Sequence, residues 1–451
     1  MLERPSIRLP VGVRDFLPRA AARRRALAEA VLGEFERWGY DRIITPAFEY
    51  ADVLARGLGD DARATAIRFV EPATGEVVAL RPDITPQVAR LAATRLSDVG
   101  GPIRLCYEGS VLRLMPGARG QKELIQAGVE LLDAPSPEGD AEVIALAAAA
   151  LNAAGIDDVI IDVGHVALAR DALAGVVDAA ARSELRALIG KKDEDAVAKA
   201  ARALGLPAAK RKILEALPSL WGEPAETLAR ARLLSLSAAA RTALVDLERA
   251  LAIAGEVGSE RFTVDLGEVR GFDYYTGLRF SAYVPGVGEA VIRGGRYDDL
   301  VARFGRPARA TGFAIDIEAV AQGQKAAGVA APAVAPGALV VAVDVPRERA
   351  FQVARGLRAA GVRVATDLGA RRGDEDVRAY ARGVGVSVAV LMSGRGARAL
   401  DAASNIAAQP LPQALIARAE AGDGHALAEA LGLAPGPVRR HPNTRKTSRS
   451  R

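Results

Sequence analysis

Two stretches of eleven residues, Ile103–Arg113 and Lys122–Leu132, constrain this chain more than any other feature. In the second, Ile125, Ala127, Val129 and Leu131 alternate with Gln126, Gly128 and Glu130. Successive side chains of a strand point to opposite faces, so a strand sorts these residues into an apolar side and a polar side. In the first, Tyr107, Gly109, Val111 and Arg113 share a face. The loop MPGARG between them carries the glycine and proline of a strand connection. This part of the chain is therefore an antiparallel sheet buried on one face. Its polar face is either solvated or the floor of a polar pocket.

The remaining elements extend that sheet. Residues 19–38 predict a helix with Leu27, Val31, Leu32 and Phe35 on one stripe, ended by Gly39. A strand is expected over Arg42–Thr45, a hairpin over 66–81 and a helix over Thr85–Leu96. Asp140–Ala154 predicts an Ala-rich helix with Asp140 as its cap. Residues 167–255 read as nearly all helix, a helical insertion. Strands return at Arg261–Leu266, Leu278–Tyr283 and Ala290–Arg293, then a helix at Tyr297–Phe304 and a strand-to-helix unit at Gly312–Ala321. Residues 322–337 read as a linker of small residues and proline. Beyond it a strand–helix–strand–helix–strand pattern, shortened after Met392, predicts a small α/β domain over 338–434. Residues 435–451 are expected to be a disordered basic tail. The fold expected is α+β: a main domain over 1–321, the linker and the small domain.

Composition narrows the chemistry. One cysteine, Cys106, and three scattered histidines leave no means for a disulfide, a cysteine zinc site or a histidine-rich metal centre. The net charge of +5 hints at nucleic acid, but six basic residues and no acid lie in 439–451, and subtracting those six leaves −1 for residues 1–438. The N-terminal segment has no apolar core of signal-peptide length, and the longest uncharged stretch, Ala326–Val343, contains Pro332 and Pro336. A soluble, cytoplasmic protein without a membrane partner is expected.

Four segments carry chemical weight. In Leu80-Arg81-Pro82-Asp83-Ile84-Thr85, Asp83 either caps the following helix or faces a ligand amine. Tyr107–Arg113, with Gln126 and Glu130 on its return strand, can floor a polar pocket. Glu268–Gly277 brings two of the chain's eight tyrosines, Tyr274 and Tyr275, together between glycines and after Arg270. Loops of that kind carry ligands. Gly294-Gly295-Arg296-Tyr297-Asp298 is either a plain turn or a close backbone approach to a ligand.

In this order and spacing, YEGSVLR, ELIQAGVE, RGFDYYTG and GGRYD resemble the catalytic domain of histidyl-tRNA synthetase, a class II synthetase, over residues 10–320. The resemblance implies an antiparallel sheet flanked by helices, with a histidine pocket. Asp83 would contact the α-amino group, where the synthetases usually have glutamate. Thr85, Gln126 and Glu130 would line the amino-acid end, Arg270 would face the carboxylate, and Tyr274 and Tyr275 would bound the imidazole. Arg113 matches the family's motif 2 arginine and counts with this histidine-binding set. Residues 338–394 resemble a reduced anticodon-binding domain.

The chain departs from an active synthetase at the nucleotide. The motif 3 arginine of that family falls at Ala319, and its adenine-stacking aromatic at Leu124. Without that arginine the ATP phosphates lose a cation that adenylate formation needs. A kept histidine pocket beside a damaged ATP site resembles the regulatory subunits of ATP phosphoribosyltransferase, paralogues of the synthetase. That resemblance implies a chain without catalysis or cofactor. It further implies a short-form catalytic subunit as partner, histidine as feedback ligand, and a homodimer within a hetero-oligomer that acts in the first step of histidine biosynthesis. tRNA is not expected as a partner. The alternatives are a functional histidyl-tRNA synthetase and an RNA-binding protein driven by the basic tail.

Overall fold

A computed structural model describes residues 8–114, 120–255, 261–269, 274–330, 336–369, 373–404 and 406–433. The chain divides into two units, Met1–Pro332 and Ala333–Arg451. The first is organised by a nine-stranded sheet. Its centre runs Ile103–Leu112, Glu123–Leu132, Ala310–Asp316, Ile292–Arg296, Leu278–Tyr283 and Ile160–His165, each pair antiparallel. Parallel pairings flank this centre: Asp41–Arg42 beside Leu105–Cys106, and Arg261–Asp265 beside Ile160–His165. The architecture is α+β, of the antiparallel kind that the alternation around Gln126–Leu131 requires.

The two faces of the sheet are two environments. Ala127, Val129 and Leu131 join Phe280, Phe313 and Ile315 against the helices Pro18–Arg37 and Glu138–Ala153. Leu27, Val31, Leu32 and Phe35 are the buried stripe of the first helix, and the Phe35 ring meets Phe313 edge-on at 5.6 Å. On the opposite face Ile84, Val88, Tyr107, Val111 and Tyr297 form a smaller cluster under the helix Thr85–Thr94. The cavity lined by Asp83, Thr85, Arg113, Gln126, Tyr274 and Tyr275 lies on this second side.

Several local expectations need correction. The strand expected over Arg42–Thr45 is only Asp41–Arg42, because Thr45 turns inward and donates to Gln87 Oε1 at 2.8 Å while accepting from Arg81. Tyr297 does not begin a helix. Its N–H donates to the Ala310 carbonyl at 2.8 Å, and one 3₁₀ turn follows only at Val301–Phe304. Asp140 lies inside its helix rather than capping it. It accepts from Ser136 Oγ at 2.7 Å and, through both carboxylate oxygens, from Arg296 Nε at 3.0 Å.

Between 166 and 255 the described residues form helices Val166–Leu173, Ala179–Gly190, Glu194–Ala203, Ala208–Ala216, Pro224–Arg232 and Ala238–Gly255. A two-residue strand, Trp221–Gly222, returns from them to the sheet edge. The helix Ile317–Ala326 runs into the stretch read as linker, and Gly337 already belongs to a strand. The expected basic tail, 435–451, lies outside the described residues.

In the second unit, Arg363–Thr366, Gly337–Ala342 and Val388–Ser393 form a parallel core. Ala338 and Val340 pack with Val353, Leu357 and Ile416, while Leu339 and Val341 face Val377 and Ala381. The sheet does not stop at Met392. A tight hairpin at Gly394-Arg395 adds Gly396–Asp401, then Gln409–Leu411, and helices Gln413–Glu420 and His425–Ala430 close one face. No helix among the described residues is long and apolar enough to cross a membrane.

The Arg296–Asp140 pair fixes the helix Glu138–Ala153 to the sheet, and its side chains are 4% and 1% exposed. Removing one partner strands a buried charge, so Asp140→Ala should cost about 3 kcal/mol in urea unfolding. The double variant Asp140→Leu with Arg296→Met should recover most of that loss.

Candidate functional site

A cavity of about 490 Å³ opens on the second face of the large sheet. Its floor comes from the polar side of Glu123–Leu132 and from Ala310–Asp316, paired so that Gln126 lies opposite Asp316 and Glu130 opposite Gly312. The turn before the helix Thr85–Thr94 contributes Asp83, and that helix contributes Thr85. Tyr274 and Tyr275 close one side.

Asp83, Thr85, Arg113, Gln126, Tyr274 and Tyr275 all line this cavity. Glu130 lies just behind the wall, 1% exposed. Tyr107 donates from its hydroxyl to Glu130 Oε1 at 3.2 Å, and that hydroxyl lies 3.4 Å from Thr85 Oγ1. Arg270, expected at the carboxylate end, lies outside the described residues. Asp83 precedes the helix N-cap, Ile84: its Oδ1 accepts from the Ile84 and Thr85 amides at 2.7 and 3.3 Å, and the residue lines the cavity. Arg113 donates from Nε to the Pro82 carbonyl at 3.2 Å, which holds its guanidinium at the cavity wall.

Tyr297 belongs to this group as well. Its ring lies 5.3 Å from Tyr274, which in turn meets Tyr275 at 5.2 Å, so three aromatic rings form one wall. The sequence signal was present in GGRYD, but reading Tyr297 as the start of a helix pointed its side chain nowhere in particular.

Polar satisfaction is incomplete here. Among the described residues, Gln126 Oε1, Glu130 Oε2 and the Tyr297 hydroxyl are buried without a hydrogen-bond partner. A Cβ on Gly312 would come within 2.5 Å of both Glu130 Oε2 and the Tyr297 hydroxyl, so the two orphaned groups converge on one glycine. Buried polar atoms are usually paired with protein groups, water or ligand, and here three unpaired ones lie beside a cavity.

The electrostatics favour a cationic or N–H-donating guest. Burial pushes the Glu130 carboxyl well above the usual carboxylate range, and the nearby Asp83 charge pushes it further. Burial likewise raises the Tyr274 hydroxyl far above its ordinary value, and Tyr275 up to about 12. Among the described lining residues, carboxylates Asp83, Glu289 and Asp316 outnumber the arginines Arg113 and Arg293. Arg293 is itself 3.6 Å from Glu289. Ala319 is fully buried among Ile315, Ile317 and Val320, so that helical turn brings no cation to the cavity. Leu124 lines the wall with an aliphatic side chain where an adenine would need an aromatic face. The cavity thus offers carboxylates, arginines and an aromatic wall to a polar guest.

Comparisons with known proteins agree with this geometry. The histidyl-tRNA synthetase family matches residues 12–320. An ATP phosphoribosyltransferase regulatory subunit from Geobacter sulfurreducens is 40% identical over 389 residues, covering 86% of this chain and 88% of that protein. One from an Anaeromyxobacter species is 44% identical over 321 residues, covering 70% of this chain and 92% of that protein. The crystal structure of an ATP phosphoribosyltransferase regulatory subunit/histidyl-tRNA synthetase from Bacillus halodurans superposes with a TM-score of 0.74 at 28% identity, over 87% of this chain and 99% of that one. The chain belongs to the family of ATP phosphoribosyltransferase regulatory subunits, built on a domain of the histidyl-tRNA synthetase type.

Proposed function

We propose that this chain is the non-catalytic regulatory subunit of an ATP phosphoribosyltransferase, acting in the first step of histidine biosynthesis and binding histidine for feedback control. The observation that carries the reading is the contrast inside one cavity. Its amino-acid end keeps Asp83, Thr85, Gln126 and the tyrosine wall, with orphaned acceptors waiting for donors. Elsewhere Leu124 gives it an aliphatic wall, and Ala319, where the resemblance places the synthetases' motif 3 arginine, is buried in the core and brings it no cation.

The ligand's ammonium would lie near Asp83. Its one ring N–H, on the neutral imidazole, would reach Glu130, which Tyr107 and Thr85 hold at the wall beside Gln126 Oε1. Arg270 would face the carboxylate. Feedback is then a linkage: histidine shifts the complex only by binding its two conformations with different affinity, and about 1–3 kcal/mol gives a 5–150-fold effect.

The partner is a short-form catalytic subunit. Mixing it with this chain should raise transferase activity, and histidine should then lower it. A catalytic subunit equally active with and without the chain would contradict the reading.

The reading includes self-association as a homodimer. The three-stranded sheet of Phe48–Tyr50, Arg68–Val70 and Val77–Leu80 leaves Phe48, Tyr50 and Phe69 exposed on one face, an apolar strip of the kind that interfaces cover. Phe69→Glu should shift the chain to monomer mass in light scattering; a dimer of undiminished stability would place the interface elsewhere.

Glu130 gives a pH test. In the empty pocket its raised pKa keeps it protonated where an ordinary carboxylate is ionised. A bound N–H donor favours the ionised form, so binding releases a proton. Affinity should therefore rise with pH up to the raised value and level off above it. Glu130→Gln should abolish that slope and weaken histidine about tenfold, without lowering the melting temperature at pH 8, because glutamine needs no buried charge. Calorimetry across pH measures both effects, and an unchanged slope in the variant would remove Glu130 from the site.

A further inference from the structure

A polar assembly beyond the cavity wall has no part in the reading above. In the strand Leu278–Tyr283, Arg279 faces a glycine on each side: Gly164 on one neighbouring strand and Gly295 on the other. Both glycines are required by space. A Cβ on Gly295 would come 2.8 Å from the Tyr275 ring, and one on Gly164 would come 2.3 Å from the Asp265 carbonyl and 3.8 Å from Glu268 Cβ. The row Gly164–Arg279–Gly295 is thus a seat with Glu268 packed by one end and Tyr275 by the other.

Arg279 joins the two. Its Nη1 pairs with Glu268 Oε2 at 2.9 Å, with both side chains less than a tenth exposed, and its guanidinium lies 5.9 Å from the Tyr275 ring centre. Its Nη2 also lies 3.4 Å from Ser281 Oγ. A buried guanidinium held by a carboxylate cannot drift without stranding both charges, so it fixes the ring beside it.

The helical insertion grips the same region twice. Arg170, on its first helix, donates from Nη2 to the Tyr275 carbonyl at 2.6 Å. Lys192 binds Asp265 Oδ1 at 2.5 Å, and the same oxygen accepts from the Gly267 amide at 2.9 Å. Tyr275 is therefore held at its carbonyl by the insertion and at its ring by the Glu268–Arg279 pair, while Asp265, three residues before Glu268, is also tied to the insertion.

We propose that Arg170 and the Glu268–Arg279 pair are positioning residues for the aromatic wall of the ligand cavity, and that through Arg170 the helical insertion is energetically coupled to its occupancy. This rests on the reading that the cavity binds histidine. Any force on the insertion that shifts Tyr275 changes ligand affinity, and by reciprocity the ligand biases the insertion. The insertion is then the element through which the pocket is heard outside it.

The test is calorimetric titration of histidine into the full-length chain. Arg170→Met, at a partly exposed position, should weaken histidine about tenfold, the worth of one charge-assisted hydrogen bond. Its melting temperature should stay near that of the parent. Arg170→Lys should recover part of the loss. The neutral double variant Glu268→Gln with Arg279→Met should weaken histidine as well, and should reduce the change that histidine causes in the tyrosine near-ultraviolet circular dichroism. Parental affinity in Arg170→Met and in the double variant, both melting as the parent does, would overturn the proposal. A parent chain that binds no histidine would instead overturn the functional reading on which it rests.

Discussion

The strand Glu123–Leu132 has to satisfy two environments at once, and the rest of the first unit is arranged around that demand. Ala127, Val129 and Leu131 must be covered, so the helices Pro18–Arg37 and Glu138–Ala153 pack on their side. Gln126 and Glu130 must then face the other way, where Ala310–Asp316 and the helix Thr85–Thr94 leave a cavity instead of a core. A one-residue slip in register would exchange the two sets. The pocket is thus a consequence of how the core is built, not an addition to it.

On the proposed reading, that construction would let one chemical function be lost while another is kept. The amino-acid end is made from the sheet itself, from Gln126, from the Tyr107–Glu130 contact behind it and from Tyr297 on the neighbouring strand segment. Changing those residues disturbs buried polar groups. On the proposed reading, the nucleotide end would depend on single side chains at positions such as Leu124 and Ala319. Ala319 itself is buried in one core cluster with Ile315, Ile317 and Val320. If the proposed reading holds, a histidine-sensing subunit follows from a fold of the synthetase type by few changes.

Much of this was legible in the sequence because it is local. The alternation over Ile125–Leu131 sets strand and faces together, and Tyr274-Tyr275 stands out among few aromatics. What was not legible depends on partners distant in the chain. Asp140 reads as a cap because Arg296, which holds it, lies 156 residues away. Tyr297 reads as a helix start because its amide finds the Ala310 carbonyl only once the sheet is assembled. Arg279 is enclosed by Glu268 and by glycines on two neighbouring strands, which no local pattern brings to it. Residues after Met392 look decayed because the hairpin there is short and its turn, Gly394-Arg395, carries little periodic signal.

The central claim is that this cavity kept histidine and lost adenylate formation. Pyrophosphate exchange into ATP, measured on the purified chain at histidine concentrations that saturate calorimetric binding, tests it most directly. The account predicts saturable histidine binding with no histidine-dependent exchange. Robust exchange stimulated by histidine would contradict it and return the chain to the active synthetases.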